Sequence, residues 1–458
     1  MKPLTLGVFE HLNPNGMSGA TWRHPENTTT GYLDFGYWTS LARRLESANL
    51  DFLFLADSYG MPIVDGDVPA AAVRSAVHFP LADPFAVVGA CAAATNRLGI
   101  VVTSSTVFEE PYASARRFAT LDHLSRGRIG WNVVTSAAAG PAAAMFGRSL
   151  IPHDTRYDIA DDYLELTYRF LEGSWEDGAV LADRQRQIYA DPDRVHRIDY
   201  KGPYFSSNGV FPVPASPQRV PVLFQAGSSG RGRAFAARHA ECVFLQGTTV
   251  PKVSEAVRDI RAQADSFGRD GAAMRLLVGL TIIVGATRAE AEQRYATFRS
   301  FSTHETAAAQ FAYNTGVDLL SLDPDKPLPE DIDAQQGQSN VDRYRATDGT
   351  PAPTVRDILD EFTAQGMRGL VLHGTPVEVA DAMQRYVEQT GVDGFLLESY
   401  LNPGTYDELI DLLLPVLRER GLAPEAHTSP TLRERLFGAG QPHLPEGHPG
   451  AAHRVGTH

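Results

Sequence analysis

The sequence predicts an α/β fold, a (β/α)8 TIM barrel with two long insertions and an extended C-terminal tail. Three observations carry that prediction. Eight short apolar runs are each paired with a helical pattern, the runs read as buried strands, and several of them end in polar side chains, as strands do where they converge on a site. A doubly wound open sheet is the alternative. The length of 458 residues suits one elaborated barrel, and 43% hydrophobic with 9% aromatic residues supply a large core.

The first run, residues 4–9, is followed by the turn-forming Glu10-His11-Leu12-Asn13-Pro14-Asn15-Gly16. Residues 37–48 form an amphipathic helix with Leu41 and Leu45 on one face and Arg43, Arg44 and Glu46 on the other. Run 51–58 ends in Asp57-Ser58. A helix over 83–94, opened by Asp83-Pro84, leads to run 98–105 and its Thr103-Ser104-Ser105 terminus. Helix 111–124, with Leu121 and Leu124 three apart, turns at Arg126-Gly127 into run 127–136, which carries Asn132, Thr135 and Ser136.

The next strand, 220–227, lies too far on for an ordinary connection, so an insertion fills about 137–219. It holds a helix over 159–172 and a small hairpin of 196–205 with 209–211. Helix 228–239, strand 242–246, helix 253–267 and strand 275–284 follow, and Thr287-Arg288-Ala289-Glu290 is a capping box. A second insertion, about 301–375, has a polar, turn-rich centre at 321–353 and the length of a lid. Helix 377–390, strand 394–398 and helix 409–420 complete a barrel spanning 1–420. Residues 421–458, rich in Pro, Gly and His, form a tail that is solvated or docked on a partner.

Charge and composition exclude several functions. A formal charge of −14 argues against nucleic acid or an anionic membrane as partner. No run reaches the length of a membrane span or a signal peptide. The two cysteines, Cys91 and Cys242, lie in apolar surroundings without CxxC spacing, as packed thiols of a cytoplasmic protein. His427, His443, His448, His453 and His458 of the tail are spaced too irregularly for a metal site.

Five sets of residues are candidates for chemistry. Gln225-Ala226-Gly227-Ser228-Ser229-Gly230 joins a strand to a helix, so free N–H groups and the hydroxyls of Ser228 and Ser229 either bind an anion or only cap the helix. It is not a dinucleotide fingerprint, and no GxGxxG or GxxxxGK[ST] occurs. His153 and Tyr157, four apart, share a helix face and either donate to a phosphate or serve packing. The amide of Asn132 suits a heterocycle edge or ties down a loop. Asp57 is a ligand contact or a cap. His11 and His24 are candidates for substrate contact or a proton donor, beside a structural role, and no residue type singles out the catalytic group.

Taken together, Trp22-Arg23-His24-Pro25, Ala56-Asp57-Ser58, the stretch from Ala119 through Arg128 into Trp131-Asn132-Val133-Val134-Thr135-Ser136, His153 to Tyr157, Gln225 to Ser229 and Leu432-Arg433-Glu434-Arg435-Leu436 resemble the flavin-dependent monooxygenases typified by nitrilotriacetate and dibenzothiophene-sulfone monooxygenases, within the bacterial-luciferase-like superfamily. The resemblance implies a barrel that takes reduced FMN from a separate flavin reductase, uses dioxygen as co-substrate and oxygenates a small organic molecule, with C–N or C–S cleavage as one outcome. It implies flavin contacts at Asp57, Ser104, His153, Tyr157 and Ser229, to which the residue chemistry adds Thr103, Asn132 and Ser228. A homodimer or homotetramer is the expected assembly. His11-Leu12-Asn13 departs from the paired histidines common in the family, so substrate contacts there do not carry over.

Other functions on the same sequence are a deazaflavin-dependent oxidoreductase of the same fold, a flavin-independent barrel hydrolase using Glu109, Glu110 or Glu398 with Asp57, and a non-catalytic flavin carrier.

Overall fold

Eight strands run parallel and close on themselves in the computed structural model: β1 (Thr5–His11), β2 (Phe52–Ala56), β3 (Gly99–Ser105), β4 (Ile129–Val134), β5 (Val222–Gln225), β6 (Cys242–Leu245), β7 (Arg275–Val284) and β8 (Gly394–Glu398). The structure describes residues 2–456 apart from 16–18, 228, 247–248, 333, 335–336, 347–350 and 366–369. Each strand pairs with the next, and β8 pairs with β1 from Thr5↔Gly394 to Phe9↔Glu398, which shuts the barrel and rules out the open sheet.

Nearly every strand residue is buried, because alternate side chains serve two cores. Phe9, Phe54, Phe224 and Phe244 point inward and fill the barrel, with Phe9 and Phe54 stacked at 5.2 Å. Leu6, Val8, Leu53, Leu55, Ile100 and Val102 face the helices instead. Aromatic filling demands a small residue opposite: a Cβ on Gly7 would lie 2.2 Å from the Phe52 ring. Both cysteines are buried and free, Cys91 under the helices and Cys242 inside the barrel.

The first insertion is interrupted by a barrel element. Helix His153–Gly173 begins six residues before its expected start and packs between helices Pro111–Ser125 and Gly230–His239, so it takes the place of the helix following β4. The expected hairpin is present as Arg197–Lys201 with Ser206–Val210, and a second one pairs Val180–Asp183 with Ile188–Ala190. In helix Pro111–Ser125, Leu121 packs against the core but Leu124 is exposed; Ala115, Phe118, Ala119 and Asp122 carry the buried face. The second insertion contributes the strand Val371–Gly374, which the sequence reading missed and which extends β7 at its C-terminal half. Its helices His304–Thr315 and Val355–Gln365 share a small core of their own around Phe311, Tyr344, Ile358 and Phe362.

The described part of the tail, residues 421–456, runs across its own barrel rather than into solvent. Helix Leu432–Phe437 inserts Leu432 and Leu436 into the N-terminal end of the barrel. Arg433 spends all five N–H donors there: Nε and Nη2 grip Glu241 at 2.7 and 2.9 Å, Nη2 also reaches Val220 O, and Nη1 donates to Gln218 O and Pro442 O. Two of the tail histidines are likewise tied to the body: His448 Nε2 lies 2.7 Å from His239 O, and His427 Nε2 2.8 Å from Asn49 O. The apolar pair and the buried arginine make this segment a floor.

Candidate active site

With one end floored, the polar residues gather at the other, where the strands finish. Register places Thr103 beside Asn132 and Asn132 beside Phe224. Thr103 Oγ1 donates to Leu55 O at 3.0 Å and accepts from Asn132 Nδ2 at 3.0 Å. This leaves Asn132 Oδ1 buried with no hydrogen-bond partner. An orphaned buried acceptor costs about 1–3 kcal/mol, so its persistence points to a ligand donor. Ser104 Oγ is buried and without a partner too, although it has the parity of Ile100 and Val102, toward the helices.

A second cluster forms where β5 feeds helix Gly230–His239. Ser229 is the cap, its Oγ accepting from Gly232 N at 3.0 Å. His153 Nε2 stands 3.4 Å from the same Oγ, and the His153 and Tyr157 rings meet edge to face at 5.3 Å. The Tyr157 hydroxyl reaches Ser229, Thr135 and Gln225 side chains, and burial pushes its pKa up, so it stays a phenol and keeps its proton to donate. Gly232 is required by this crowding: a Cβ there would lie 2.7 Å from Tyr157 Oη and 3.0 Å from Ser229 Oγ. Helix-terminal N–H groups, two hydroxyls and an imidazole meet here on one small area, a cradle whose donor set is that of an anion site. Ser228, expected to join them, lies outside the described residues. Thr135 and Asn132, three apart on one strand and its exit, connect the two clusters.

Asp57, at the end of β2, has its carboxyl pushed up to about 7 by burial, with Asp83 and Glu109 adding repulsion against a hydrogen bond from Ser58 N–H. It therefore changes charge near neutrality.

His11 closes β1 with its ring 5.1 Å from that of Phe9, directly above the barrel core. His78 lies 5.7 Å from it, stacks on Tyr313 at 3.7 Å and places Nε2 3.0 Å from Gln310 Oε1. The sequence reading missed His78, Gln310 and Tyr313, since nothing in spacing ties a loop near residue 78 to a helix of the second insertion. His24 is not brought to this group. It packs on Phe301 at 5.8 Å and lines a separate cavity of about 550 Å³ between the segment after β1, helix Arg288–Ser300 and the turn after β8. Among the described residues no group of three or more His, Cys, Asp or Glu could hold a metal, and no helix is long and apolar enough to cross a membrane.

Comparison with known proteins shows the family. Residues 17–394 match the family model of the luciferase-like monooxygenases. The chain is 41% identical to the long-chain alkane monooxygenase of Geobacillus thermodenitrificans over 455 residues, 99% of this chain and 98% of that protein. It is 38% identical to the dimethyl-sulfide monooxygenase of Hyphomicrobium sulfonivorans, covering 99% and 94%. A crystal structure of a riboflavin lyase with modified FMN and riboflavin superposes with a TM-score of 0.94 at 45% identity, covering 99% of this chain and 100% of that one. The protein belongs to the bacterial luciferase-like monooxygenase family and is an oxidoreductase.

Proposed function

We propose that the protein is the oxygenase component of a two-component system, taking reduced FMN from a separate flavin reductase in the cytoplasm and using dioxygen to oxygenate a small organic substrate, with C–N or C–S cleavage as one outcome. The carrying observation is the pairing of the donor-lined cradle at Ser229, His153 and Tyr157 with the orphaned acceptor of Asn132 on the adjoining strand. Reduced flavin, when bound, supplies the two electrons with which dioxygen is split between substrate and water.

The chain's own residues bind and position. Ser229, Tyr157 and the first turn of helix Gly230–His239 would hold the phosphate by N–H and O–H donation, with His153 Nε2 completing the ring of groups. Asn132, Thr103 and Asp57 would face the ribityl chain and ring. Ser104 is a candidate on its unsatisfied hydroxyl alone. His11, His78 and Gln310 form a polar, ring-lined wall above Phe9, which suits a substrate bearing hydrogen-bonding heteroatoms. Helix His304–Thr315, which supplies Gln310 and Tyr313, would act as the lid that excludes water. A dimer or tetramer of the chain is the expected assembly.

The test is a mixture of protein, flavin reductase, FMN and ¹⁸O₂ with candidate amines, sulfides, sulfones and heteroaromatics. One labelled oxygen in a product supports the reading. Substrate conversion without flavin or dioxygen would replace it with a hydrolase, and flavin binding with no turnover of any candidate would leave a carrier.

A further inference from the structure

Arg231 is the second residue of helix Gly230–His239, within the turn that borders the cradle, yet its guanidinium is engaged elsewhere. Its Nη2 donates to Asp158 Oδ1 at 2.9 Å and to Asp161 Oδ2 at 2.6 Å, and its guanidinium lies 5.5 Å from the centroid of the Tyr157 ring. Helix His153–Gly173 supplies this arrangement from one face: Tyr157 and Asp161 are four residues apart, with Asp158 beside them. Asp161 is anchored from behind, since its Oδ1 is 2.7 Å from His239 Nε2, and His239 Nδ1 is 3.0 Å from Tyr168 Oη. Arg238 Nη1 also stands 3.9 Å from Asp161 Oδ1, so two guanidiniums balance the two carboxylates, and the charge of Arg231 is committed to them instead of to the neighbouring anion position. An arginine released there could form a bidentate, charge-assisted contact with a phosphate, which the observed donors do not provide.

We infer that Asp158 and Asp161 act as a latch that withholds Arg231 from the cofactor phosphate, keeping the cofactor loosely held and exchangeable. The inference rests on the FMN reading above and deepens it. A flavin reduced on one protein and used on another has to dissociate at each cycle, and dissociation is the rate that a guanidinium–phosphate contact would slow. The two aspartates are positioning residues: they act through Arg231 and touch no cofactor atom.

The experiment is a fluorescence titration of oxidised FMN, and of riboflavin as the phosphate-free control, into full-length wild type, Asp158→Asn, Asp158→Asn with Asp161→Asn, and each of these combined with Arg231→Gln, at low and high salt. The latch predicts tighter FMN binding, about threefold in the single variant and about tenfold in the double, with a steeper loss of affinity on adding salt. Riboflavin affinity should not change, and the gain should vanish once Arg231 is replaced. Asp158 is about half exposed and spares the His239 contact, so Asp158→Asn remains decisive if the double variant does not fold. Unchanged or weaker FMN binding in folded Asp158→Asn overturns the latch, as does a gain that survives Arg231→Gln or extends to riboflavin. Wild type that binds neither oxidised nor reduced FMN sinks the flavin reading itself, and the latch with it.

Discussion

Asn132 gives its side-chain N–H to Thr103 Oγ1 at 3.0 Å and keeps its own Oδ1 buried with nothing to accept from. A protein that tolerates this is storing a binding group at the expense of stability. Asn132→Leu should therefore leave thermal stability unchanged or higher, because Thr103 retains its bond to Leu55 O and the orphan is gone. The same variant should weaken FMN binding by about tenfold. A melting curve and an FMN titration on one preparation check both halves.

Asp57 titrates near neutrality because burial raises its pKa to about 7. Its folded value exceeds its unfolded value, so the folded state holds the proton more tightly. The stability this one group contributes is complete below about pH 4 and is lost as pH rises to about 7. Asp57→Asn removes that loss. Melting temperatures of wild type and variant should coincide below about pH 4, diverge between about pH 4 and 7 and stay apart above that, the variant being more stable by on the order of 2 kcal/mol. Parallel curves at all pH values would contradict the raised pKa.

Arg433 and Glu241 make the floor of the barrel a two-ended commitment. Arg433→Ala leaves Glu241 buried, with one oxygen bonded to Leu223 N and its countercharge removed. The expected cost is about 3–5 kcal/mol, seen as unfolding at lower denaturant, whereas Arg435→Ala, which loses carbonyl contacts to Asp51 and Arg97, should cost less.

Much of the barrel was legible because its strands are short apolar runs with few alternatives, and each expected strand is found within a few residues. The cradle was legible for a different reason. A strand-to-helix junction with Gly227, Ser229 and Gly230 and a histidine four residues before a tyrosine are local patterns, and both fold into the same corner. What lay beyond reach was long-range. The edge strand Val371–Gly374 owes its conformation to β7, not to its own four residues. His78 gains its meaning from Gln310 and Tyr313, more than 230 residues later. The tail is turn-rich in composition, and only the barrel's open end, which no periodicity reveals, explains why Leu432, Arg433 and Leu436 are buried.

Tyr313 and Gln310 tie helix His304–Thr315 to His78 over the barrel mouth. If this helix excludes water during turnover, Tyr313→Ala should raise the hydrogen peroxide released per reduced FMN consumed severalfold while leaving FMN affinity near wild type. A peroxide assay in the presence of substrate measures this, and an unchanged yield removes the lid role.

The most direct measurement is the binding of reduced FMN under anaerobic conditions to wild type, Ser229→Ala and Tyr157→Phe, with reduced riboflavin alongside. A phosphate held at this cradle predicts that wild type binds reduced FMN, that each variant loses about tenfold in FMN affinity, close to 1.4 kcal/mol, and that riboflavin binding is untouched. Equal affinity of all three proteins for reduced FMN, or parallel losses for FMN and riboflavin, would contradict it.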